Sequence, residues 1–133
     1  MNNPAPGQSR VGDPYNAAVR ALFAEPRHAG VAGGPAVTVE RGGVRIELGA
    51  RLAGRDLAEL RFRAFGCPHV IAALERFCAG HEGRPCADLQ NFSVAGTMDA
   101  LEIPVGKTGR ILLVEDAIHA LYQRLAADMT AGE

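Results

Sequence analysis

The segment RFRAFGCPHVIAALERFC, residues 61–78, is the most informative about the fold, because its hydrophobic period changes once along its length. Up to Phe65, charged and apolar residues alternate, which is the pattern of a β-strand with one buried face. After the next glycine, apolar residues recur at helical spacing. Cys67 then falls at the N-cap of a helix and Pro68 at its first position, where proline's missing N–H costs nothing. The segment predicts a strand, a tight turn and a helix.

The cysteine at this junction is the strongest candidate for chemistry. A thiol at a helix start faces unpaired N–H groups and the positive end of the helix dipole, both of which favour the thiolate. The chain has three cysteines, Cys67, Cys78 and Cys86, with no C-x-x-C pair, so neither a disulfide framework nor a zinc finger is indicated. Cys67 and Cys78 would lie about 16 Å apart along one helix, too far to bridge or to share a metal. We therefore interpret Cys78 and Cys86 as core residues and Cys67 as the functional one.

The flanking sequence predicts a small α+β domain. Strand-like runs at 36–40, 44–52 and 57–65 are separated by short glycine-containing turns, which favours an antiparallel meander. Three longer helices are predicted: from Asp13-Pro14 to just before Pro26, from Cys67 to about Ala79 with Gly80 or Gly83 closing it, and along an apolar stripe from Ile111 to Leu125. Two short helices are predicted, one near Pro85 and one at 97–101. We expect a small three-stranded antiparallel sheet with helices packed mainly on one face.

Length and composition fit a single globular domain. We predict a flexible leader at 1–12, one domain at 13–129 and a frayed tail at 130–133 of the 133 residues. A formal charge of -1 without a Lys/Arg run argues against nucleic acid or an anionic membrane as partner. Since no stretch is apolar enough to span a bilayer or serve as a signal peptide, a cytoplasmic location is expected.

Several motifs together resemble the U-type iron–sulfur cluster assembly scaffolds, a family comprising IscU and the N-terminal domain of NifU. These motifs are YN at 15–16, PRHAG at 26–30, RFRAFGC at 61–67 and EDAI at 115–118. The segment IPVGK at 103–107 partly resembles the family's L-P-P-V-K chaperone-recognition motif. The resemblance implies the family's α+β fold, a non-enzymatic scaffold function, and a cysteine desulfurase and other cluster-assembly proteins as partners.

The resemblance also locates the family's cluster site, which uses three cysteines, an aspartate and a histidine. Cys67 matches the middle cysteine. The first falls on Arg41, or on Val37 in an alternative alignment, and the third falls on Arg110. Arginine cannot become a ligand, and clusters are normally held by several thiolates. We therefore predict that the iron–sulfur cluster or iron implied by the family cannot be held here in the usual geometry.

The histidines are assigned from their local sequence. His69, two residues after Cys67, is a second candidate metal ligand, although a partly exposed polar role is the simpler expectation. His28 is expected to bond the local backbone. His81 and His119 are expected to lie at the surface.

Two hypotheses from different classes follow. The first is a non-enzymatic, degenerate scaffold that keeps Cys67 as ligand or sulfur acceptor and docks a desulfurase. The alternative is a thiol- or anion-responsive binding module in which Arg41 and Arg110 converge on Cys67. Catalysis has the least support, because one thiol without an evident base is not a nucleophilic site.

Overall fold

The computed structural model describes residues 16–131 and confirms the predicted α+β class. Its elements in chain order are α1 (Ala17–Ala24), β1 (Ala36–Arg41), β2 (Val44–Ala53), β3 (Asp56–Phe65), α2 (Pro68–His81), a 3₁₀ helix (Cys86–Asn91), α3 (Val94–Leu101), a 3₁₀ turn (Val105–Lys107) and α4 (Thr108–Ala131). The predicted leader and the proposed helix start at Asp13-Pro14 lie outside the described residues. Within the part of the chain that the structure describes, no helix is long and apolar enough to cross a membrane.

The three strands form one antiparallel sheet in the order β1-β2-β3, and each begins and ends within one residue of its predicted position. The β1–β2 hairpin closes with Gly42 and Gly43 at φ of 59° and 82°, and two consecutive positive φ values are what glycine provides in such a turn. On β2 and β3 alternate residues point into the core: Val44, Ile46, Leu48, Leu60 and Phe62. Burying each large apolar side chain stabilises the fold by about 1.5–3 kcal/mol.

Helices α2 and α4 pack on the sheet, and α1 packs on α2. The buried stripe of α4 consists of the predicted apolar residues Ile111, Val114, Ala117, Ile118, Leu121 and Leu125. α4 begins at Thr108, whose hydroxyl donates to the carbonyl of Val105. The sheet therefore has helices over its buried face.

Helix boundaries differ from the predictions where capping groups decide them. α1 begins at Ala17, because Asn16 is its N-cap and accepts from the Val19 amide at 2.8 Å. α2 continues to His81, two residues past the predicted end, and Gly83 with φ of 90° follows its C-cap. Of the two glycines considered, Gly83 is thus the one that closes the helix.

α3 begins earlier than predicted, since Ser93 caps it by accepting from the Gly96 amide at 2.9 Å. The 3₁₀ helix before it begins at Cys86, next to the predicted start at Pro85. Both short helices exist as the sequence indicated.

The outer edge of β3 is covered by the loop after α1. Phe62 donates its amide to the His28 carbonyl at 2.9 Å and accepts from the Gly30 amide at 2.8 Å. The loop therefore occupies backbone groups that an uncovered edge strand would leave unpaired.

Candidate functional site

The β3–α2 junction lies directly against the β1–β2 turn. Gly66 has φ of 112°, and a Cβ built on it would lie 2.5 Å from the carbonyl oxygen of Gly43. Neither the backbone conformation nor the space admits a side chain. Glycine at this position therefore lets the start of α2 approach the hairpin and sets the position of Cys67.

Cys67 is the N-cap of α2, as predicted, with extended backbone angles and Pro68 as the next residue. Its carbonyl accepts from the amides of Val70 and Ile71 at 3.1 and 3.2 Å. Its side chain makes no capping hydrogen bond, and the residue is only 3% exposed. The predicted position is right, whereas the predicted contact between the thiol and the helix amides is not made.

An ion pair connects the hairpin to α4 at this end of the sheet. The guanidinium of Arg41 donates to the carboxylate of Asp116 at 2.9 Å, with both side chains about half exposed. A surface pair of this kind contributes roughly 0–1 kcal/mol. The partner that the structure gives Arg41 is thus a carboxylate on α4.

Arg110, the other arginine of the predicted pocket, is half-buried near the start of α4 and forms no ion pair with another residue in the 16–131 range. The convergence of Arg41 and Arg110 on the sulfur of Cys67 stays a prediction. The pairing of Arg41 with Asp116 already occupies one of the two guanidinium groups.

His69, the second candidate ligand, is fully buried, contrary to the expectation of a partly exposed side chain. The helix α2 turns this residue toward the core one position after Pro68. Among the described residues, no group of three or more His, Cys, Asp or Glu side chains is arranged to hold a metal ion. A cluster needs several thiolates, so the residues present do not fit one.

A second group of polar side chains ties the loop after α1 to α2 and was not predicted. Glu75 is 4% exposed and accepts from His28 twice, from the backbone amide at 2.7 Å and from Nδ1 at 2.6 Å. The expectation that His28 bonds the local backbone is therefore wrong, because its partner lies 47 residues away on α2. Glu75 satisfies a loop amide that would otherwise be left without a partner.

Glu82 extends this cluster to β3. It accepts from the Leu60 amide at 2.9 Å and from the Arg61 guanidinium at 2.6 Å, and it lies 3.3 Å from Nε2 of His28. Burial acts to raise the pKa of Glu82, but the hydrogen bonds from Leu60 and Arg61 and the nearby positive charge outweigh it and lower the pKa. These contacts keep the Glu82 carboxylate ionised, and they connect the end of α2 to β3 and to the loop after α1.

The same carboxylates influence a neighbouring thiol. Burial, followed by the negative charges of Glu75 and Glu82, raises the pKa of Cys78 far above that of a free thiol. Burial also raises the pKa of Cys86. Both cysteines are buried, as interpreted from the sequence, and neither environment activates a thiolate.

One sequence signal could have indicated the buried cluster. Glu75 lies on α2 between Leu74 and Phe77, inside the apolar stripe from which the helix was recognised. An acidic residue on a buried helix face must be paired, because an unpaired buried carboxylate is costly. The identity of its partner, His28, depends on tertiary structure.

Comparison with known proteins gives both sequence and fold relatives. The chain is 32% identical over 116 residues to the bifunctional protein NifU/MnmA of Rubrobacter xylanophilus, an alignment that covers 82% of this chain and 24% of that protein. The chain thus spans about a quarter of the length of that relative. No family model matches it.

Solved structures share the fold at low sequence identity. The N-terminal part of a NifU-like protein from Brucella abortus has a TM-score of 0.71 at 15% identity and covers 90% of this chain and 99% of its own. A candidate iron–sulfur cluster assembly scaffold for the SUF system of Fervidobacterium islandicum has a TM-score of 0.63 at 13% identity, covering 81% and 96% respectively. The predicted resemblance to U-type scaffold proteins is confirmed by these findings.

Proposed function

We propose that this chain is a non-enzymatic protein of iron–sulfur cluster assembly that keeps the scaffold fold but has lost most of the cluster ligands. The observation that carries the proposal is the β3–α2 junction, where Cys67 follows a glycine packed on the β1–β2 turn. The first ligand position falls either on Arg41, which is paired with Asp116, or on Val37, and neither side chain can bind a cluster. A cytoplasmic location belongs to the same proposal, on the sequence grounds given above.

Docking of a cysteine desulfurase is the activity we assign to the chain. Phe65, two residues before Cys67, is 64% exposed and borders an apolar groove of about 420 Å³. The groove is lined by Pro26, Ala29, Gly30, Phe62, Arg63, Ala64, Phe65 and Ile71. An exposed aromatic side chain beside an apolar groove is a typical anchor point of a protein interface.

Docking is favoured over sulfur acceptance, because the Cys67 side chain is almost fully covered. Sulfur acceptance would require the Cys67 thiolate to attack the outer sulfur of a desulfurase persulfide, breaking its S–S bond and releasing the desulfurase cysteine as thiolate. That attack needs an accessible sulfur. The alternative binding module using Cys67, Arg41 and Arg110 is weakened for a related reason, since Arg41 already has an anionic partner.

The loss of ligands is tested by restoring them. The purified chain and the variant R41C/G43D/G109H/R110C are each incubated anaerobically with ferrous iron and sulfide, and the visible spectrum and iron content per chain are measured. We expect a stable cluster in the variant only, and its loss when Cys67→Ser is added. Circular dichroism verifies that each variant folds. A stable cluster on the unmodified chain at one per chain would overturn the proposed ligand loss.

Docking is tested separately with a purified cysteine desulfurase and isothermal titration calorimetry. We expect Phe65→Ser to weaken binding at least tenfold. Val105→Ser serves as the matched control, because Val105 is also an exposed apolar residue, 84% accessible, but lies outside the groove. Equal binding by the two variants, or no binding by the unmodified chain, would contradict the docking proposal.

A further inference from the structure

A second concave surface lies between the C-terminal half of α2 and the segment that leads into α3. This cleft has a volume of about 480 Å³. Its lining consists of Arg76, Phe77, Gly80, His81, Asn91, Phe92, Ser93, Gly96 and Thr97. None of these residues takes part in the function proposed above.

One side of the cleft is formed by stacked rings. The His81 ring stacks on Phe77 with centroids 4.4 Å apart and an interplanar angle of 27°. Phe92 meets Phe77 edge to face at 5.8 Å. Phe77 is almost completely buried beneath the other two rings, which fixes the arrangement. The cleft therefore offers a rigid aromatic wall of the kind that planar apolar groups pack against.

The lining of the cleft is basic and contains no acidic residue. Arg76 is exposed on α2 and forms no ion pair with any residue between 16 and 131. The nine lining residues include this guanidinium but no aspartate or glutamate. Six other arginines of the described chain, by contrast, each have a carboxylate within 4 Å. A ligand here would meet donors and positive charge without a competing carboxylate.

The His81 ring is held in place by a hydrogen bond within α2. Its Nδ1 lies 3.0 Å from the Phe77 carbonyl oxygen, which can only accept, so Nδ1 carries the proton. In a neutral imidazole with Nδ1 protonated, Nε2 can only accept a hydrogen bond, so the positive charge that the cleft offers to an anion is that of Arg76. Ser93 accepts from the Gly96 amide and keeps its own O–H to donate.

We propose that this cleft binds a small organic anion, with its planar apolar part against the partly exposed rings of His81 and Phe92 and its acidic group at Arg76. The guanidinium forms two parallel hydrogen bonds with a carboxylate or a phosphate, so the acid group can be either. This site lies at the opposite end of α2 from Cys67, and the proposal does not depend on the cluster-assembly function.

The proposal is tested by titrating the ¹⁵N-labelled full chain with phenyl phosphate, benzoate and inorganic phosphate, and following the amide shifts by NMR. We expect saturable shifts at Gly80 and Gly96 with at least one of the two aromatic anions, and weaker binding of inorganic phosphate. Comparing phenyl phosphate with benzoate identifies which acid group the cleft prefers. The absence of saturable shifts with both aromatic anions would overturn the proposal.

Two variants separate the polar and apolar contributions. Arg76→Gln should weaken binding of the preferred aromatic anion about tenfold, whereas Arg124→Gln, which alters an exposed arginine on α4, should leave it unchanged. Phe92→Ala should weaken the aromatic anion but not inorganic phosphate. The NMR spectra themselves report whether each variant folds. Equal affinities of the Arg76 and Arg124 variants, or shifts confined to residues near Cys67, would refute the site.

Discussion

Replacing Glu75 by alanine should destabilise the protein far more than removing any exposed carboxylate. The carboxylate is 4% exposed and accepts two short hydrogen bonds from His28, one of them from a backbone amide. Hydrogen bonds to a charged group contribute about 1.5–3 kcal/mol each, so their loss amounts to roughly 3–6 kcal/mol before relaxation. Relaxation of the surrounding structure offsets part of this, and we take about 3–5 kcal/mol as the expected loss.

That loss is a large part of the stability of a small domain, which is about 5–15 kcal/mol in total. For a domain of this size it lowers the melting temperature by about 10 °C or more. The loop that covers the edge of β3 depends on the same contact, since His28 also accepts from the Phe62 amide. Glu75→Ala should therefore also speed hydrogen exchange at the Gly30 and Phe62 amides.

The assay is urea unfolding followed by circular dichroism, with two comparison variants. Glu75→Gln keeps the shape and one acceptor oxygen, so a smaller loss of about 1–2 kcal/mol is expected. Asp88→Ala removes a carboxylate from a surface ion pair with Arg84, which is expected to contribute only about 0.2–1 kcal/mol. A loss for Glu75→Ala no larger than that for Asp88→Ala would show that the His28 contact does not hold the loop, and the reasoning would fail.

Three further predictions follow from the structure. The pKa of Glu82 in the folded state lies below its ordinary value of 4.5, so its ionised form stabilises the fold above that value, and this contribution is lost as pH falls through the folded pKa. The difference in unfolding free energy between the unmodified chain and Glu82→Gln should therefore shrink toward low pH. A constant difference would contradict this. Gly66→Ala should lower the free energy of unfolding by at least about 2 kcal/mol, because it combines a positive φ with a backbone clash. Gly80→Ala, in a helix with open space around it, should raise it by about 0.5 kcal/mol. Thermal melts of both variants test this, and equal effects would contradict it. Iodoacetamide with peptide mass spectrometry should modify Cys67, at a helix end, before Cys78, in mid-helix with a raised thiol pKa; the reverse order would contradict the assignment.

The sequence predicted what depends on neighbouring residues. The change of period at Gly66, together with Pro68, was enough to place the strand, the turn and Cys67 at the N-cap. Alternating strands and glycine turns were enough to predict the meander and the ends of its strands to within one residue. The end of α2 was missed because Gly80 is tolerated inside a helix, while Gly83 has the positive φ that closes it.

The part that was not predicted depends on contacts between residues far apart in sequence. No local pattern pairs His28 with Glu75, or Arg41 with Asp116 on α4 75 residues later. His69 was expected to be partly exposed from its place at a helix start, yet the orientation of α2 on the sheet buries it completely. The residue types were visible in the sequence, but their surroundings were set by packing.

Helix α2 connects the two surfaces to which we assign functions and also separates them. Cys67 is at the N-cap position, whereas Arg76 and His81 lie in the last two turns, so the helical rise places them about 14 and about 21 Å from Cys67 along the helix axis. The helix is buried along most of this length and is tied to the neighbouring loop through Glu75. An anion in the cleft and a protein at Phe65 would therefore bind the same rigid element without contact between them. If filling the cleft changes desulfurase affinity, the coupling must pass through α2, and Glu75→Gln, which weakens its attachment to the loop, should reduce that coupling.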